Sequence, residues 1–145
     1  MHMAAQADIP IQLHVEDNGA QTNAELAAIC DRSGLMRKRA VHHYATANVG
    51  ESFTHGLSSS VSMGKDSLST IMETYRHCSS TWTMETDYLD DLSRPGAVLG
   101  PKTVPKRTQA LVSNLLGTID AEQTEDLLHH VQSIWPSALY GEIDP

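Results

Sequence analysis

Histidines, cysteines and a run of acids are the residues here whose types suit chemistry. His42-His43 and His129-His130 are adjacent pairs, His55 stands apart, and His77 precedes Cys78. A metal wants its ligands on one face, at i and i+4 of a helix or split across loops. Neighbouring helical positions point about 100° apart, so neither pair chelates by itself. The spacing predicts surface histidines and no metal site. Asp87, Asp90 and Asp91 gather with Glu85 in an acidic cluster. Paired carboxylates do acid–base work when buried together, but at a helix end they read as a solvated face. Cys30 and Cys78 fall on apolar stripes and read as free core thiols rather than nucleophiles. There is no Gly-rich phosphate loop, no HExxH and no GxSxG. No catalytic residue and no cofactor are expected, and the chain reads as a protein that is not an enzyme.

The elements that would position these groups begin from composition. The chain has 145 residues, a length suited to one domain. Its net charge of -8, from 18 acids against 10 bases, opposes non-specific attraction to phosphate backbones or anionic membrane. Aromatics make up 5%, with Phe53 the single phenylalanine, so the core rests on aliphatic residues and Met. No basic segment followed by an apolar core opens the chain, and no apolar run approaches the ~20 residues of a membrane span. A cytoplasmic protein away from the membrane is expected.

Ile9 to Glu16 alternates apolar and polar residues, which predicts a half-buried edge strand. A helix over Ala24–Cys30 and a second from about Leu35 to Ala47 follow, separated by Arg32-Ser33-Gly34. Residues 51–65 are rich in Ser and Gly and read as a linker. Beyond it, Leu68, Tyr75, Trp82 and Leu89 recur every seven residues, with Ile71, Cys78 and Leu92 beside them. That pattern predicts a long central amphipathic helix from Asp66 to the Arg94-Pro95-Gly96 stop. Lys106–Gly117 and the stretch from the Asp120 cap to Pro136 predict a C-terminal helical hairpin, and 137–145 an acidic tail. The fold class expected is mainly α, one compact domain with a single N-terminal strand.

The stretch from Glu25 to Val41, with the strand before it, resembles the ribbon-helix-helix family of DNA-binding proteins. That resemblance implies strands paired across a dimer axis in the major groove. Gln12 and His14 would then read bases, and Arg37, Lys38 and Arg39 would meet phosphates. It departs from the family at Met36, where a small polar residue usually opens the second helix. The leading expectation is a small regulatory or adaptor protein acting by protein–protein contact as a homodimer. Leu68, Tyr75, Trp82 and Leu89 would bind the partner. The alternative is a dimeric DNA-binding transcriptional regulator.

Overall fold

The computed structural model describes residues 1–16, 19–86 and 100–141. Its centre is a parallel sheet of four strands, β1 (Ile11–Leu13), β2 (Ala40–Ala45), β3 (Ser58–Ser62) and β4 (Trp82–Glu85), adjacent in sequence order. Helices fill the intervals and the C-terminal third: α1 (His2–Ala7), α2 (Ala20–Ser33), α3 (Glu51–Thr54), α4 (Ser67–Thr74), α5 (Thr103–Leu116), α6 (Ala121–His129) and α7 (Trp135–Tyr140). The fold is therefore mixed α/β, which overturns the mainly α expectation with its lone strand.

Each misread segment has a physical reason. The strand before α2 is not an unpaired arm, because β1 pairs with β2 in parallel, Ile11 opposite Ala40 and Leu13 opposite His42. The expected second helix is a short 3-10 turn, Arg37–Arg39, followed by β2. Ala40, Val41 and His42 are all buried, as in a central parallel strand covered on both faces, and such a strand shows no alternation to read. The expected linker holds α3 and the central strand β3, where Ser58, Ser59 and Ser60 are buried and the hydroxyls of Ser58 and Ser60 find partners. Ser58 donates to the Lys38 carbonyl at 2.7 Å, and Ser60 to Glu85 at 2.5 Å.

The long central helix does not form. Its first part is α4 and a 3-10 turn at Tyr75–His77, and β4 then carries Trp82. Leu68 and Tyr75 on the helical part and Trp82 on the strand all pack into one apolar cluster. The seven-residue recurrence thus marks a shared core rather than a single helix. Leu89, Leu92, the Asp87, Asp90 and Asp91 cluster and the Arg94-Pro95-Gly96 stop lie outside the described residues.

Among the described residues two clusters make the core. Val49, Val61, Met63, Ile71, Trp82, Leu111, Leu115 and Val131 join the sheet to α4, α5 and the C-terminal helices. Ala4, Ala27, Cys30, Leu35, Ala40 and Leu57 join it to α1 and α2. Asp120 caps α6, its carboxylate accepting the Gln123 N–H at 2.8 Å. Pro136 does not end the helix that follows. The chain widens into a π turn at His130–Ile134 and runs on through α7, so residues 137–140 are helical rather than tail.

Candidate functional site

In open α/β sheets ligands settle outside the carboxyl ends of the strands at a reversal of strand order; the sequential order β1-β2-β3-β4 has no such reversal, so a site at this end must be built by the turns themselves. Here the turn that leaves β3 is Met63-Gly64-Lys65-Asp66, and Ser67 opens α4. It is tightly wound. Gly64 N–H donates to Ser62 O at 2.9 Å, and the Ser67 hydroxyl returns to Gly64 O at 2.9 Å. Met63 N–H still reaches Glu85 O on β4 at 3.2 Å, so the turn is tethered to the sheet.

Unlike α6, α4 has no side-chain cap among the described residues. Its first N–H groups and the positive end of its dipole face the turn, an arrangement suited to an anion. A methyl group added at Gly64 would meet no atom within 4 Å, so the fold leaves the space above it open. A cavity of about 200 Å3 lies there, lined by Ala47, Ser62, Gly64, Asp66, Ser67 and Thr70. Lys65 is exposed beside it and forms no ion pair among the described residues.

A second polar group stands at the same end of the sheet. Register places Gln12, Val41, Ser58, Ser60, Thr83 and Glu85 on one face, and Ile11, Ala40, His42, Ser59, Val61, Trp82 and Met84 on the other. β2 bulges between His42 and Ala45, with Tyr44 at a φ of 57°. The Glu85 carboxylate holds this bulge by accepting the Tyr44 N–H. It also takes the Ser60 hydroxyl at 2.5 Å and contacts His43 Nδ1 at 2.8 Å. The His14 ring lies 5.5 Å from that of His43.

His42 points the other way and is 2% exposed. Its Nδ1 meets Asn23 Oδ1 at 2.8 Å, while its Nε2 has no partner among the described residues. Burial, with His14 and His43 adding charge repulsion, pulls its protonation below the ordinary imidazole value. Both cysteines are free, and burial pushes both thiols up, away from the reactive thiolate. No cluster of three metal-ligating side chains occurs among the described residues.

The residues read from sequence as sites are not brought together. Trp82 is 1% exposed and Leu68 and Tyr75 are half-buried, so they serve the core instead of presenting a stripe. Gln12 bonds the Tyr140 hydroxyl at 3.0 Å. Arg37 is tied to Asp31 at 2.6 Å, which holds that carboxyl low, and Arg39 to Asp8 at 3.0 Å. Lys38 borders a cavity of about 470 Å3 at the amino end of the sheet, beside Cys78, Trp135 and Leu139. The ribbon-helix-helix arrangement loses its premises, since β1 is paired within the chain and Ala40–Ala45 is a strand.

The residues that sequence reasoning passed over are Ser62, Gly64, Lys65 and Ser67, while Asp66 reads from sequence only as a helix start and Glu85 only as part of an acidic cluster. A signal was there: a short strand, a Gly-Lys turn, then a helix with Leu68 and Ile71 on its inner face. Placing a linker boundary at Lys65 cut it in two.

No protein-family model matches the chain, and no solved structure matches it. A curated protein of Methanocaldococcus jannaschii, printed as "Uncharacterized protein MJ1127", is 31% identical over 122 residues, 84% of this chain. The match spans 41% of that relative's length. No helix among the described residues is long and apolar enough to cross a membrane.

Proposed function

We propose that this chain binds a phosphate-bearing small molecule of the nucleotide class at the carboxyl end of its parallel sheet. The observation that carries the reading is the Gly64–Ser67 turn, which joins a central strand to an uncapped helix N-terminus beneath an open cavity. In this reading the α4 N–H groups meet phosphate oxygens and Lys65 supplies the positive charge. Asp66 suits the divalent cation that accompanies nucleotide phosphates, which one carboxylate plus the phosphates can hold. The turn is shorter than the G-x-x-x-x-G-K-[ST] loop, so it would cradle fewer phosphate oxygens. The protein-contact reading has lost the long helix that supported it.

Calorimetry with magnesium-ATP, AMP and inorganic pyrophosphate tests the proposal. Binding is expected for at least the phosphate-rich ligands. Gly64→Val should abolish it by filling the open space while leaving the melting temperature within a few degrees. If none of the three ligands binds, or if Gly64→Val binds as tightly as the parent, the reading is wrong.

A further inference from the structure

The amino end of the sheet has a cavity of its own, about 470 Å3 in volume, a size suited to a small molecule. α7 supplies most of its apolar lining: Trp135, Ala138 and Leu139 stand at i, i+3 and i+4 on one face of that helix. Met36 joins them and is 53% exposed. The 3-10 turn Arg37–Arg39 contributes Lys38 and Arg39. Its backbone is pinned to the sheet, because the Lys38 carbonyl accepts the Ser58 hydroxyl at 2.7 Å.

The polar side chains around this cavity decide what it can take. The Ser79 hydroxyl donates to Glu51, the Ser80 hydroxyl to the Leu57 carbonyl at 2.8 Å, and the Thr81 hydroxyl bonds Ser58. The Cys78 thiol donates to the Ser80 carbonyl at 2.8 Å. Arg39 is divided between Asp8 at 3.0 Å and the Ala138 carbonyl at 3.4 Å. Among the described residues this leaves the Lys38 ammonium as the lining side-chain group with no hydrogen bond or ion pair.

A cavity whose hydroxyls are already engaged suits neither a sugar nor a base edge, which ask for several donors and acceptors at once. It offers one positive charge beside apolar surface. We infer that this cavity is a second binding site, for a small carboxylate with an apolar body. The carboxylate meets Lys38, and the body lies against Trp135, Leu139 and Met36. The site shares no residue with the cavity beside the Gly64–Ser67 turn and does not depend on the nucleotide reading.

Calorimetry of the full chain with octanoate, decanoate and octanamide at neutral pH tests the assignment. Both carboxylates are expected to bind. Decanoate, longer by two methylenes, should bind about tenfold more tightly than octanoate. Octanamide, which keeps the body and loses the charge, should bind about fivefold more weakly than octanoate, the worth of one exposed charge pair. Lys38→Met should bind octanoate and octanamide alike. Ala138→Trp should fill the cavity and abolish binding of all three, and Gly64→Val, at the other end of the sheet, should change none. If Ala138→Trp does not fold, the Lys38→Met comparison decides. Absence of carboxylate binding, a preference for octanoate over octanamide that survives Lys38→Met, undiminished binding by a folded Ala138→Trp, or loss of binding in Gly64→Val would overturn the inference.

Discussion

The two ends of the sheet both carry basic side chains but use them differently. At the amino end Arg37 is held by Asp31 and also donates to the His55 carbonyl, while Arg39 is held by Asp8 and reaches the Ala138 carbonyl. Their charge is consumed by the chain's own acids and carbonyls. At the carboxyl end Lys65 forms no ion pair among the described residues and stands beside open space at an uncapped helix. The contrast teaches that a cluster of Arg and Lys in sequence marks structure as readily as a site.

Four experiments would break or sharpen that contrast. The largest effect is expected from Ile71→Ala, which removes a fully buried side chain beneath α4. An eight-residue helix cannot stand without its packed face, so a loss of about 2–5 kcal/mol in denaturant unfolding is expected, together with loss of ligand binding. Next, Lys65→Ala should weaken nucleotide affinity about 10–100-fold, with stability within about 0.5 kcal/mol of the parent. Arg39→Ala should do the reverse. Equal effects of these two on affinity would erase the distinction between the ends.

A smaller change is expected at the capped helix. Asp120→Ala should cost about 1 kcal/mol in thermal unfolding by exposing the α6 N-terminus, with binding untouched. The finest comparison uses pH. Burial first, and the neighbouring His14 and His43 second, hold the folded-state protonation of His42 below 6.5. Above pH 6.5 both states are neutral there and His42 adds no pH dependence. As pH falls below 6.5 the unfolded chain takes up a proton that the folded chain refuses, so stability declines. Urea midpoints at pH 7.5 and 5.5 should show this decline, and His42→Gln should reduce it.

The sequence revealed its helices better than its strands. Residues 103–129 showed apolar spacing and an Asp cap, and α5 and α6 stand there. β1 was visible because its outer face is polar and its pattern alternates. β2 and β3 were not, since burial on both faces removes alternation, and Ser58 and Ser60 imitate a loop until their bonding partners are known. The seven-residue stripe misled because a helix and a strand contribute to one cluster. Of the candidate site, the Gly-Lys turn was open to inspection, but its meaning depends on a strand before it. The contact between His43 and Glu85, 42 residues apart, follows only from strand order.

That strand order bears on synthesis. Because β1 to β4 lie side by side as they occur along the chain, each strand leaving the ribosome finds its pairing partner already made. The cluster of Ala4, Ala27, Cys30, Leu35, Ala40 and Leu57 is complete once residue 57 has emerged, whereas the larger one waits for Val131. The amino-terminal half can therefore consolidate while its carboxyl-terminal helices are still being translated. A nascent chain stalled between these points would present Val61, Ile71 and Trp82 uncovered, the stage at which a chaperone would have most to hold.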